Sequence, residues 1–170
     1  MYCCFTGHRP ENIPWMKDEE SDRCKELKKI LANTINQAIC DGYTDFYCGM
    51  ARGIDTFAAE ILIETMKKNE KISLHAALPC PDQSASWTAT EKQRFEKILS
   101  HASTRTIISP MYTDTCMLSR NRFMVDNSDR VIAVWNGFFR GGTAYTVRYA
   151  KKQKKEIHLI RPKDLSVSVL

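Results

Sequence analysis

The amino-acid sequence predicts an α/β protein: a three-layer sandwich in which helices flank a mostly parallel sheet of about six strands. Two observations lead to this fold class. Short β-rich runs alternate with helical stretches along nearly the whole chain. The runs are mostly continuous apolar segments, as expected for strands that helices cover on both faces. At 170 residues the chain has the usual length of one domain, so we expect residues 1–170 to form a single domain.

The predicted strands are the runs rich in β-branched, aromatic and small apolar residues. They cover residues 2–7, 45–49, 72–79, 105–110, 130–137 and 156–162. We expect the first of them at the centre of the sheet.

Five predicted helices lie between these strands. Apolar residues recur from Leu27 to Ile39 at helical spacings and form one stripe, and this first helix ends at Gly42. The second helix begins near Asp55. The others cover roughly residues 88–100, roughly residues 117–127, and the stretch that follows residues 141–143.

The composition excludes several classes of protein. A hydrophobic fraction of 43% with 26% charged residues is typical of a globular protein and excludes a disordered or fibrous chain. No apolar run is long enough to cross a bilayer, and the N-terminal segment turns polar within a few residues, so we expect a cytoplasmic protein without a membrane partner. The net charge of +5 permits an anionic ligand without requiring nucleic acid.

The seven cysteines predict neither a disulfide framework nor a metal site. Their number is odd, and their spacing contains no C-x-x-C pair. Cys48 and Cys80 lie beside loops of interest, which leaves a redox or nucleophilic role as a minor alternative. The others in apolar periodic contexts are expected to pack in the core as small hydrophobic residues: Cys3, Cys4, Cys24 and Cys40.

Four loops that leave predicted strands have unusual sequences. They comprise residues 6–10, 49–55, 79–83 and 135–143. In an open parallel sheet, ligands bind beyond the carboxyl ends of the strands. We therefore expect these loops to converge on one crevice.

Two of these loops place glycines immediately before a helix. Backbone N–H groups can then approach a ligand, and the helix N-terminus adds partial positive charge, so phosphate or carboxylate is the natural guest. Each loop also carries an arginine, Arg52 or Arg140. The spacing is not that of a P-loop, because Ile54 follows Gly53, and no G-x-G-x-x-G leaves any strand. For either loop alone, tight backbone packing is the alternative.

Charged side chains near the same loops are further candidates. Arg120, Asn121 and Arg122 lie near the start of the predicted fourth helix and could reach an anion, since arginine suits bidentate phosphate contacts. The alternative for Arg122 is an i,i+4 ion pair with Asp126 on a solvated helix face. We assign no role to the histidines at 75, 101 and 158.

The tip of the first strand carries three more candidates, Thr6, His8 and Arg9. His8 could act as a general acid or base, donate to a phosphate, or be a hydrogen-bonded structural residue. Asp55 could cap its helix, or it could hold a ribose hydroxyl or act at a scissile bond.

Four motifs together resemble a known family. Thr6–Pro10, Gly49–Asp55, Asn121–Asp126 and Gly141–Thr143 occur in the order found in the YpsA-like family of small bacterial proteins, part of the SLOG superfamily. This resemblance implies a Rossmann-like sheet that binds a nucleotide or a nucleotide-derived ligand, such as a nucleoside phosphate or an NAD- or ADP-ribose-like molecule, in a sensing or regulatory role. The binding residues that it implies are Thr6, Gly7, His8, Arg9, Gly49, Met50, Ala51, Arg52, Gly53, Asp55, Asn121, Arg122, Gly141, Gly142 and Thr143.

The resemblance extends to two related families with different functions. LOG-type phosphoribohydrolases, which release the base of a nucleoside monophosphate, carry P-G-G-x-G-T-x-x-E, whereas this chain has neither the proline, the third glycine nor the glutamate around Gly141-Gly142. An N-glycosidic hydrolase is therefore an alternative in which Arg122 would hold phosphate and Asp55, Asp126 or His8 would assist the reaction. The similarity to the DprA/Smf family makes single-stranded DNA binding, with stacking on Phe138 and Phe139, a second alternative. The sequence also permits a homo-oligomer.

Overall fold

A computed structural model describes residues 1–170, and its centre is one seven-stranded sheet. The strands follow the order β4-β3-β2-β1-β5-β6-β7, and all neighbouring pairs except β6–β7 are parallel. The strands are β1 (Tyr2–Gly7), β2 (Asp45–Cys48), β3 (Ser73–Leu78), β4 (Thr104–Ile107), β5 (Arg130–Val134), β6 (Glu156–Ile160) and β7 (Val167–Val169). The predicted α/β class and the central place of the first strand are confirmed.

Five α-helices form the two outer layers. They are α1 (Asp22–Cys40), α2 (Ile54–Met66), α3 (Ala89–Ser100), α4 (Cys116–Asp126) and α5 (Gly142–Lys152). Two short 3-10 turns, Pro10–Asn12 and Pro14–Lys17, follow β1. None of the helices combines the length and the apolar character that crossing a membrane would require.

The alternation of side chains along β1 separates the core into two faces. Cys3 and Phe5 point to one face and pack with α1, α2 and α3 in a cluster of 29 buried residues. Cys4 points to the opposite face and packs with α4 and α5 in a smaller cluster of 10. Phe5 is fully buried and stacks on Phe46 of β2 with ring centroids 5.9 Å apart. Burying each such ring contributes about 1.5–3 kcal/mol to stability.

The helices differ in how their N-termini are capped. The Ser21 hydroxyl accepts a hydrogen bond from the Cys24 N–H of α1, and Thr88 with Glu91 forms a reciprocal capping box on α3. By contrast, α2 and α5 each begin after a glycine with positive φ, Gly53 at 89° and Gly141 at 98°, and neither has a side-chain cap. The first N–H groups of α2 and α5 therefore depend on other partners.

The strand order places a topological switch point between β1 and β5. Strands β2, β3 and β4 follow one another outward on one side of β1, and β5 pairs with the other side of β1. The loops that leave these two strands diverge to opposite faces, and a crevice opens between them.

Three details of the sequence prediction are wrong or incomplete. The seventh strand was not predicted, because three residues paired antiparallel to the edge of β6 give no recognisable apolar run. β5 ends at Val134 rather than at residue 137, so the loop that follows it is longer. Cys40, expected in the core, is exposed because it is the last residue of α1.

Candidate functional site

A cavity of about 360 Å³ opens at the switch point. We call it the central cavity. The end of β1, the loop before α2, and parts of α4 and α5 line it. Its polar lining residues are Thr6, Arg9, Asn12, Asp55, Arg120, Asn121 and Thr143, together with the backbone of Gly7, Ala51 and Gly142.

A second cavity of about 380 Å³ adjoins the first on the side of the loop after β5, and we call it the outer cavity. The two share Asn12, Gly142 and Thr143. The outer cavity is also lined by His8, Asn136, Phe138, Arg140 and Gly141. The N-terminus of α5 therefore borders both cavities.

The first turn of α5 faces this shared space with unpaired donors. The first hydrogen bond of the helix runs from Tyr145 N–H to the Gly141 carbonyl at 3.0 Å, so the N–H groups of Gly142, Thr143 and Ala144 have no helical acceptor. No acidic residue lies in the turn. A Cβ atom on Gly142 would meet only the Asn121 Nδ2 atom, at 3.6 Å. The geometry and partial charge are those of an anion site.

The first turn of α2 is packed against the end of β1 instead. The Ile54 N–H donates to the His8 carbonyl at 3.3 Å, and the Asp55 carboxylate accepts from the Ala51 N–H at 3.2 Å. The glycines permit close packing: a Cβ atom on Gly7 would lie 2.4 Å from the Ile54 Cβ, and one on Gly53 would lie 2.6 Å from the His8 carbonyl oxygen. This loop is held against the end of β1 by its own backbone.

Asp55 and Arg120 are both buried beneath this loop, close to Gly49. The Arg120 guanidinium donates to the Gly49 carbonyl and, at 2.8 Å, to Oδ1 of Asn121. A Cβ atom on Gly49 would lie 2.2 Å from the guanidinium and 2.8 Å from the Asp55 carboxylate, so only glycine leaves room for both. Burial raises the pKa of Asp55, an effect that the Arg120 charge opposes.

His8 links the two loops that leave β1 and β5. Its buried ring accepts a hydrogen bond at Nε2 from the Asn136 N–H, 3.2 Å away. This bond requires an unprotonated Nε2, so the ring proton of the neutral form lies on Nδ1. Burial lowers the pKa of His8 and favours this neutral form.

Arg52 lies away from the central cavity although its neighbour Ala51 lines it. The Arg52 guanidinium pairs with Glu11 at 2.5 Å and with Glu91 at 2.9 Å. Together with Met50 and Gly53 it borders a third cavity of about 310 Å³, between the 3-10 turns, α2 and α3. The predicted binding residues of this loop are thus divided between two sides.

Arg122 and Asp126 lie outside both cavities, and the ion pair considered as the alternative for Arg122 does not form either. Arg122 donates to the Tyr145 hydroxyl and stacks over the Tyr145 and Tyr149 rings. Asp126 accepts from the Tyr149 hydroxyl at 2.8 Å. The α4 arginine that lines the central cavity is Arg120, two residues earlier on the same helix.

One residue that lines both cavities was not predicted. Asn12 reaches them from the 3-10 turn after β1. A short 3-10 turn gives no periodic or motif signal by which sequence reasoning could find it.

The loop after β3, residues 79–83, does not converge on the crevice with the other loops, since none of its residues lines the central or the outer cavity. The Gln83 side chain donates to the Met50 carbonyl at 2.8 Å, so this loop supports residues 49–53.

The cysteines near the loops are unsuited to nucleophilic chemistry. Cys48 and Cys80 are buried, and desolvation raises the pKa of the Cys48 thiol and raises that of Cys80 to about 11. Both thiols are therefore protonated at neutral pH. No group of three or more His, Cys, Asp or Glu residues is arranged to hold a metal ion.

Comparison with known proteins agrees with the four sequence motifs. A family model named YpsA, described as the YspA SLOG family, matches residues 3–165. The chain belongs to this YpsA family. Its relatives include the UPF0398 protein YpsA of Bacillus subtilis (strain 168), 21% identical over 97% of this chain and 94% of the relative. A UPF0398 protein of Bacillus thuringiensis (strain Al Hakam) is 26% identical over 87% of this chain and 81% of its own length.

A third relative of the YpsA family has a similar span. The UPF0398 protein of Lysinibacillus sphaericus (strain C3-41) is 21% identical over 87% of this chain and 83% of its own length. The chain thus covers most of each relative's length, and the matched residues 3–165 include every loop that borders the central and outer cavities.

Proposed function

We propose that the protein binds a nucleotide or a nucleotide-derived ligand, either a nucleoside phosphate or an NAD- or ADP-ribose-like molecule, and acts as a sensor or regulator. A phosphate group of the ligand sits at the N-terminus of α5. The observation that carries this proposal is the uncapped, glycine-led first turn of α5, which borders both cavities at the switch point of the sheet.

The side chains around α5 support an anionic ligand. Arg9 lines the central cavity and Arg140 the outer one, and neither forms an ion pair within the protein. The side-chain oxygen Oδ1 of Asn121 accepts from Arg120, which leaves its side-chain nitrogen Nδ2, on the side of Gly142, as a further donor. Charged and amide donors would thus meet a phosphate together with the backbone N–H groups.

Calorimetry with AMP, ADP-ribose, NAD and inorganic phosphate tests the proposal directly. At a concentration of 100 times its dissociation constant, a binding ligand should raise the free energy of unfolding by about 2.7 kcal/mol. No heat of binding and no thermal stabilisation with any of these four compounds would contradict the proposal.

A pair of variants tests the position of the phosphate. Gly142→Asp places a carboxylate at the N-terminus of α5, where it favours the helix but repels an anion. Gly142→Asn has nearly the same shape without the charge, and the Cβ atom that both variants add makes only an ordinary contact with Asn121 Nδ2 at 3.6 Å. Gly142→Asp should bind phosphate ligands about 10-fold more weakly than Gly142→Asn. Equal affinities of the two variants would place the phosphate elsewhere.

Asp55 supports a second candidate function, N-glycosidic hydrolysis of a nucleoside monophosphate. Its carboxyl lines the central cavity, and its raised pKa suits a group that donates a proton to a departing base. His8 borders only the outer cavity, and Arg122 and Asp126 border neither. This function requires that the wild type release free base from AMP. It also requires that Asp55→Asn abolish this release while the melting temperature stays unchanged.

A further inference from the structure

The loop after β5 presents two adjacent aromatic rings to solvent. Phe138 is 72% exposed and Phe139 is 78% exposed. A phenylalanine ring gains free energy when it is covered, and exposed apolar side chains placed together mark contact sites. Phe138 lies at the mouth of the outer cavity, which it helps to line.

The backbone that carries the rings is held in place. The Trp135 indole N–H donates to the Phe138 carbonyl at 3.0 Å, and the Phe138 N–H donates to Oδ1 of Asn136 at 3.2 Å. The Arg148 guanidinium donates to the Phe139 carbonyl at 2.8 Å. Three hydrogen bonds thus fix the main chain while both rings face outward, which is how a preorganised contact surface is built.

The two rings differ in their relation to the ligand site. Phe138 shares the outer cavity with Gly142 and Thr143, which also border the central cavity, whereas Phe139 lines neither cavity. Gly137 and Gly141 flank the pair with φ of 88° and 98°, and apart from the adjoining residues no protein atom lies within 4 Å of where their Cβ atoms would be. A planar group can therefore approach this segment without displacing protein.

We infer that Phe138 stacks on the base of the ligand, so that the site takes nucleotides with an aromatic base in preference to sugar phosphates. The inference rests on the proposed function, because it requires a phosphate at the N-terminus of α5 to bring the base to the outer cavity. Every nucleobase has a π-face, so stacking selects for the presence of a base and only weakly for its identity.

Calorimetry with AMP and ribose 5-phosphate on three proteins tests the inference. The wild type should bind AMP more tightly than ribose 5-phosphate. Phe138→Ala should weaken AMP binding by about 10-fold and leave ribose 5-phosphate binding unchanged. Phe139→Ala is the matched control, because it removes an equally exposed neighbouring ring, and it should change neither affinity.

The remaining outcomes would overturn the inference in distinguishable ways. If the wild type binds both compounds equally, the phosphate site stands but the stacking of Phe138 on a base is wrong. If the wild type binds neither compound, the proposed function itself is contradicted. Equal losses of AMP affinity in both variants would mean that the rings act only on the shape of the loop. Tight, salt-dependent binding of oligothymidylate that both variants abolish would assign the rings to single-stranded DNA. A fall in oligomeric mass on Phe138→Ala, with AMP affinity unchanged, would assign them to contacts between copies of the chain.

Discussion

The helices α2 and α5 begin with the same local signal and use it differently. Each follows a strand of the sheet, β2 or β5, and starts after a glycine with positive φ and without a side-chain cap. At α2 the first N–H bonds to the His8 carbonyl, and the Asp55 carboxyl of the first turn accepts from the Ala51 N–H. At α5 the first turn borders two cavities and has no acidic residue. The N-terminus of α2 is thus packed against the end of β1, with Asp55 reaching the central cavity, whereas the N-terminus of α5 opens onto both cavities.

The largest expected effect comes from one substitution made on both sides of this comparison. Gly7→Ala places a methyl group 2.4 Å from the Ile54 Cβ, at the packed junction of β1 and α2, and should lower the free energy of unfolding by about 3 kcal/mol. Gly142→Ala meets only the Asn121 amide at 3.6 Å and should leave stability unchanged or raise it by up to about 1 kcal/mol. Urea denaturation measures both. Similar losses would mean that the two N-termini are equally packed.

The next largest expected difference is in ligand affinity, between variants of Arg140 and of Arg52. Arg140→Gln removes an unpaired charge from the outer cavity and should weaken binding of phosphate ligands by about 10-fold. Arg52→Gln removes a group that is already paired with Glu11 and Glu91 and that faces the third cavity. It should leave ligand affinity unchanged and cost at most about 1 kcal/mol of stability, because these pairs are partly exposed.

Calorimetry on both arginine variants, with urea denaturation as the control for folding, makes this comparison. Loss of ligand affinity in Arg52→Gln alone would move the ligand to the α2 side of the loop.

Most of the fold could be predicted from the sequence because its strands are continuous apolar runs separated by clear helix signals. The glycine loops could be located in the same way, but the sequence does not show whether a given glycine is needed for close packing or for a ligand. The answer depends on atoms distant in sequence: Ile54 lies over Gly7, and Arg120 lies over Gly49. No local pattern encodes these contacts, so the alternatives of packing and ligand binding could not be separated for either loop.

The charged candidates on α4 show a related limit. Arg120 and Arg122 are two residues apart, which is more than half a turn of helix, so they point in very different directions. The structure buries Arg120 beside the central cavity and leaves Arg122 against Tyr145 on the outside of the helix layer. The direction each faces is set by how α4 packs against α5, and this packing is a tertiary property.

The smallest expected effect concerns the hydrogen bond from the Asn136 N–H to His8, which joins the loops after β1 and β5. Because burial lowers the folded-state pKa of His8, the unfolded chain binds more protons in the pH range between the folded and the unfolded pKa of this residue. Stability contributed by neutral His8 is therefore complete above the unfolded pKa of about 6.5 and is lost as the pH falls below it, by at most about 1.4 kcal/mol per pH unit.

The side chain introduced by His8→Gln can still accept the Asn136 N–H but does not titrate, so this variant isolates the contribution. Between pH 7.5 and 5.5 the free energy of unfolding should fall more steeply for the wild type than for His8→Gln, because the other titrating groups are common to both proteins. Urea denaturation across this range measures the difference. Parallel curves would show that the hydrogen bond between the loops after β1 and β5 does not depend on the neutral ring.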